Sequence, residues 1–300
     1  MKETINFYYK VYPDKIYEIN NGCYFIFNTY KYYFVEYTGP VQNIDFLVKI
    51  TNDLYNRNIL VDTFIKNKDG NYFVILNKTT YVLLRVNSVE NDIYNLNDIV
   101  YFNNLLISNS NISINGDWAT LWKNKVDIFE EEVSELNNDY PLVLESFDYY
   151  VGLAENAISY FMDALELNEK PKITLCHKRL LKTVYSGFIN NPLTFAFDYE
   201  VRDVAEYIKV KFFEDSLNFD EISNVINKYN KVSLMMLFSR LLYPSYYFDT
   251  VKKIFINEIE EKELLKYINR LNEYQDLLID IYNLINKKVN IPVIEWLKNN

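Results

Sequence analysis

Residues 173–204 read ITLCHKRLLKTVYSGFINNPLTFAFDYEVRDV. A β-like run, Ile173 to Cys176, meets the one histidine of the chain, His177; a second, Leu193 to Phe197, ends in Asp198; then Arg202-Asp203-Val204 opens a helical pattern. This is the one irregular stretch, residues 168–200, between long helical segments. Upstream, from about residue 116, Trp118, Leu121, Trp122, Val126, Phe129 and Val133 form an apolar stripe along a charged helix. A second helix is expected from Ser146 to Leu165. Downstream, residues 201–298 read as several helices, the longest from Leu264 to Ile285, punctuated by Pro244 and Pro292.

The N-terminal part has another periodicity. Cys23 to Phe27 and Tyr32 to Tyr37 are aromatic-rich runs separated by the polar Asn28-Thr29-Tyr30-Lys31, as in a hairpin. After the Gly39-Pro40 break, Ile44, Leu47, Val48, Leu54 and Tyr55 fall near helical spacing. Leu60 to Lys66, Tyr72 to Leu76 and Tyr81 to Val86 read as strands, with Lys68-Asp69-Gly70-Asn71 as a turn. A small β-rich lobe, residues 1–86, followed by a helical lobe, residues 87–300, with short polar-ended strands after the second long helix, gives the fold expectation: α+β, two-lobed and protein-kinase-like.

Composition excludes several functions. The chain has 300 residues, 49% of them hydrophobic, ample for a buried core. A net charge of -10 opposes the counterion release that drives nucleic-acid binding, so no nucleic-acid partner is expected. No eighteen apolar residues run together and the start, MKETINFYYKVYPDK, lacks a signal pattern, so no membrane span is expected and the cytoplasm of the producing cell is the expected location. Two cysteines, Cys23 and Cys176, make no disulfide framework. The 28 Tyr and 20 Phe are read as core rather than as a stacking surface.

Further strings narrow the reading. Asp117-Trp118-Ala119-Thr120-Leu121-Trp122 is followed by Asp127-Ile128-Phe129-Glu130 and Glu155-Asn156-Ala157-Ile158. Cys176-His177-Lys178-Arg179, Arg202-Asp203-Val204-Ala205-Glu206-Tyr207-Ile208 and Arg240-Leu241-Leu242-Tyr243-Pro244 complete the set. Together, between residues 117 and 244, they resemble spore-coat-associated, aminoglycoside-phosphotransferase-like proteins, most nearly the YutH-type spore coat proteins related to the CotS group. The N-terminal lobe matches in pattern only.

The resemblance implies where the chemistry of phosphoryl transfer should lie. Active members of the wider family carry His-Gly-Asp with an Asn five residues after that Asp. Here the matching string is His177-Lys178-Arg179, and Val184 takes the Asn position. A guanidinium stays protonated and accepts no proton from a substrate hydroxyl, so Arg179 cannot act as the base. Asp198 matches a metal-binding carboxylate and Asp203 the aspartate that opens the next helix, both as vestigial ligands. Glu36 falls where the family has the lysine that contacts nucleotide, subject to a one-residue strand slip, with Lys31 or Lys49 able to compensate. Only 6 Gly occur in the chain, and Gly22 alone precedes the second strand, too few for a glycine-rich phosphate cradle. Arg179 is expected to pair with Asp198 or Asp203 and fill the magnesium site with a built-in cation.

Plainer readings stand beside these. His177 reads as a structural brace, Asp198 as a cap or a residual cation ligand, and Cys176 as a core thiol that no third group orients. Glu130-Glu131-Glu132 is a solvated helix face. The resulting expectation is a catalytically inactive kinase-like protein, a pseudokinase, with a binding or structural role in spore coat formation. It would need no cofactor, and its partners would be other proteins such as coat components. The alternative is an active ATP-dependent phosphotransferase on a small hydroxylated molecule, using ATP and Mg; a nucleotide-binding scaffold without turnover is a third reading.

Overall fold

The computed structural model describes residues 1–87, 94–106, 117–136, 139–180 and 189–295; Val184, matched above to a metal-binding Asn, lies outside them. The chain forms two compact units, one of Met1–Tyr94 with His177–Phe195, the other of Asn95–Cys176 with Ala196–Asn300. The first unit thus includes a segment from far beyond the β-rich N-terminus.

In the first unit, α1 (Lys2–Tyr9) precedes β1 (Ile16–Ile19), β2 (Gly22–Phe27) and β3 (Tyr30–Glu36); α2 (Ile44–Asn56) follows, then β4 (Thr63–Phe64), β5 (Val74–Leu76) and β6 (Thr79–Arg85). The strands make one antiparallel sheet in the order β1-β2-β3-β6-β4, with β5 also on β6. Two hairpins turn through a pair of residues at positive φ, Asn28-Thr29 between β2 and β3 and Asn77-Lys78 between β5 and β6. Such turns match the twist of the strands they join, and Asn tolerates the left-handed region best after Gly.

Alternation sorts the side chains to two faces. Cys23, Phe25, Phe34 and Leu83 pack with Ile5 and Tyr9 of α1 and with Val74. Tyr33, Val35, Val82 and Leu84 point to the opposite face and are also buried. The strand expected over Leu60 to Lys66 shrinks to Thr63–Phe64. Asp62 N–H leaves the ladder to bond the Asn190 carbonyl at 3.0 Å, which ends strand pairing one residue before β4.

The second unit is helical: α3 (Leu96–Asn104), α4 (Trp118–Ser134), α5 (Pro141–Leu165), α6 (Arg202–Phe213), α7 (Phe219–Ile226), α8 (Lys231–Leu242), α9 (Ser245–Phe255), α10 (Leu265–Ile268) and α11 (Leu271–Asn286), with β7 (Ile173–His177) and β8 (Phe195–Tyr199) paired after α5. Caps explain several starts. Asn95 and Asp98 form a capping box on α3, Asp117 accepts from Ala119 N–H on α4, and Pro141 opens α5, five residues earlier than periodicity suggested. α8 is buried almost all round and packs along α5. The long helix expected from Leu264 to Ile285 is broken at Asn269 and Arg270, where the Arg270 guanidinium donates to the Phe212 carbonyl at 2.9 Å. Among the described residues no helix is long and apolar enough to cross a membrane.

Candidate functional site

β8 is buried at every residue, so Asp198 enters the second unit as a fully enclosed carboxylate. Such a group must be paired. Its Oδ1 accepts from Trp118 Nε1 at 3.0 Å and from Tyr199 N–H at 2.7 Å; its Oδ2 accepts from Arg202 Nη1 at 2.5 Å. Trp118 comes from the first turn of α4 and Arg202 from the first of α6, so two helices and a strand converge on one carboxylate.

The network continues away from Asp198. Glu206, one turn after Arg202, accepts from Arg240 Nε at 3.0 Å, and Lys209 Nζ lies 3.4 Å from the same oxygen. The Arg240 guanidinium sits 4.6 Å over the Trp118 ring, and Trp122 stacks on Tyr243 with centroids 4.3 Å apart. Lys209 Nζ also donates to the Tyr243 carbonyl at 2.9 Å. Burial pushes the Lys209 ammonium down to about 8, with Glu206 opposing. For Arg202, burial favours the neutral form, but Asp198, Glu206 and Asp203 outweigh it and hold the guanidinium charged. Asp203 is fully buried in the first turn of α6, one of the carboxylates around Arg202.

Cys176 lies beside this cluster, its Sγ 3.5 Å from the Tyr199 carbonyl. Burial, then the charges of Asp203 and Asp198, push its thiol well above the ordinary value, so it supplies no thiolate.

The remaining candidates lie in the first unit. His177 is buried, its ring edge-on to Phe195 and its Nε2 3.3 Å from the Ile189 carbonyl oxygen. Arg179, two residues on, is exposed. Within the second unit the cation on Asp198 is Arg202, a residue not named for that role from the sequence. Glu36 is partly exposed and, by strand alternation, shares the face of Phe34, which packs against α1. Tyr33 and Val35 occupy the other face, and there a second buried carboxylate appears that the sequence did not single out. Asp62 accepts from Tyr33 Oη at 2.7 Å and from Asn87 N–H at 3.0 Å, while Asn190 takes the Tyr94 hydroxyl at 2.8 Å. Gly22 has φ 150°, and a Cβ there would lie 2.1 Å from the Phe34 carbonyl oxygen; its role is close approach of β2 to β3.

A magnesium ion needs oxygen ligands with free lone pairs facing an open position. Asp198 does not fit: it is enclosed and neutralised by a guanidinium. Among the described residues no group of three or more His, Cys, Asp or Glu side chains is arranged to hold a metal ion.

The family described as "Spore coat putative kinase YutH" matches residues 2–281. The chain belongs to the spore coat YutH family. It is 30% identical over 209 residues to the endospore coat-associated protein YutH of Bacillus subtilis (strain 168), a match spanning 61% of each. The chain thus covers less than two thirds of that relative. Among solved structures, an aminoglycoside phosphotransferase from Alicyclobacillus acidocaldarius aligns with TM-score 0.70 over 93% of this chain and 94% of that one, at 11% identity. The AMP-bound spectinomycin phosphotransferase APH(9)-Ia aligns with TM-score 0.60 over 96% and 98%, also at 11%. The amicoumacin kinase hAmiN aligns with TM-score 0.52 over 99% and 96%, at 8%. At such identities the likeness concerns the fold alone: this member of the YutH family has the kinase-like α+β fold of these phosphotransferases.

Proposed function

We propose that this YutH-family chain is a catalytically inactive kinase-like protein that acts by binding other proteins in the spore coat. The observation that carries the reading is the string His177-Lys178-Arg179, in which a guanidinium stands at the position that resemblance gives to the catalytic base. In-line transfer to a hydroxyl needs a carboxylate there to orient the nucleophile and take its proton. Arg179 does neither. The enclosure of Asp198 supports the same reading, since a buried carboxylate paired with a guanidinium offers no open oxygen to a metal ion. The coat role rests on membership of the family and on the coat association of the B. subtilis relative.

The test is a single-turnover assay with the protein in excess over γ-labelled ATP, magnesium, and a panel of aminoglycosides and small polyols. No label transfer and no phosphate release above the rate in buffer is the expected result. Transfer that disappears in Asp198→Asn would overturn the proposal in favour of an active phosphotransferase.

A further inference from the structure

Arg202 lies in a position with a specific chemical meaning. Its guanidinium is 2.5 Å from Oδ2 of Asp198, the carboxylate that family resemblance makes a metal ligand, and only 13% of its side chain is exposed. Three acidic side chains, Asp198, Asp203 and Glu206, act on it electrostatically. In the same unit Glu206 has its own cations, Arg240 and Lys209, and Oδ1 of Asp198 is saturated by Trp118 and Tyr199. One positive charge at Oδ2 is what the arrangement still needs, and Arg202 brings it.

The spacing explains why this cation is fixed rather than mobile. Asp198 is next to last in β8 and Arg202 is the first residue of α6, so the turn Tyr199-Glu200-Val201 sets the distance between them. Glu200 is itself held, accepting from Ser233 Oγ at 2.6 Å, and its carbonyl accepts from Asn103 Nδ2 at 3.3 Å. Removing the guanidinium would leave buried carboxylate charge uncompensated, which is strongly unfavourable. A divalent cation relieves that cost by binding oxygen.

We propose that Arg202 is a resident cation that stands in for the divalent metal at Asp198, so that the intact protein takes no metal there and loss of Arg202 exposes a latent divalent-cation site. The inference rests on the inactive reading only for the correspondence between Asp198 and a metal ligand. Its test involves no nucleotide and no turnover, so either idea can fail without the other.

The experiment is thermal unfolding of the full chain with and without MnCl2, for the wild type, Asp198→Asn, Arg202→Gln, Arg202→Met, and Asp198→Asn/Arg202→Gln. Mn2+ is the probe because it takes oxygen ligands and its binding can also be followed by water-proton relaxation. The wild type should show no Mn2+-dependent shift that Asp198→Asn removes. Arg202→Gln should gain at least about 2 °C at saturating Mn2+, and the double variant should lose that gain. The Met variant keeps the packing of the arginine stem, so it reports on the site where the Gln variant fails to fold. Should neither fold, relaxation of the wild type decides: Mn2+ bound there and released by Asp198→Asn overturns the proposal, and its absence supports it. A folded Arg202 variant with no response to Mn2+ also overturns it.

Discussion

Lys209 is the side chain whose charge is most exposed to test. It is buried in α6 with Glu206 and the Tyr243 carbonyl as partners, and burial moves its pKa from 10.5 to about 8. Below pH 8 the folded and unfolded states both hold the proton, and the folded state bears the full cost of the buried charge. Between about pH 8 and pH 10 the unfolded chain keeps a proton that the folded chain has released, so this residue makes the unfolding free energy rise with pH. The full effect would reach about 3 kcal/mol. Urea titrations at pH 7.5 and pH 9 should show the stability of the wild type rising relative to that of Lys209→Met, a comparison in which the tyrosine contribution common to both proteins cancels. Equal slopes in the two proteins would mean that the ammonium is not desolvated. The sequence did not mark this residue, because Arg202, Glu206 and Lys209 fall at the i, i+4, i+7 spacing of any helix face. Their burial comes from Arg240 and Tyr243, more than thirty residues away.

At the scale of elements, Gly22 controls the join of β2 to β3. With φ 150° and the Phe34 carbonyl 2.1 Å from where a Cβ would stand, Gly22→Ala must strain the backbone or push the strands apart. A loss of roughly 1–3 kcal/mol is expected, read by chemical denaturation; an unchanged midpoint would mean that the strands open there without cost. Most strands of the first unit were legible because alternation and turn residues act locally: the runs at Cys23–Phe27 and Tyr32–Tyr37 and the turn around Asn28 appear, although α1 and β1 were not read from the sequence. What was not legible depended on distant partners. β4 is cut to two residues by a bond from Asp62 to the Asn190 carbonyl, and the long C-terminal helix is interrupted where Arg270 reaches Phe212. Glu36 shows the limit of strand matching, since one step along β3 separates the α1 face from the face of Tyr33 and Asp62.

For the whole molecule, the order of elements and a few strings in the helical unit were enough to read a kinase-like fold, and the match over residues 2–281 and the phosphotransferase structures agree. The site was legible only in part. Asp198 and Asp203 were named through the family resemblance, but Trp118, 80 residues before Asp198, read as one apolar member of a helix stripe. Arg202 was not named from the sequence as a partner of Asp198, although it stands only four residues away. That interval crosses from strand to helix, where no simple periodicity says which side chains meet. We propose that this chain, with its phosphotransferase-like fold, does not bind MgATP. Thermal unfolding with millimolar ATP and MgCl2 tests it most directly, since a ligand at a hundred times its dissociation constant stabilises by about 2.7 kcal/mol, several degrees for a chain of this kind. A shift under about 1 °C is the expected result; a shift of several degrees that Asp198→Asn abolishes would contradict the claim.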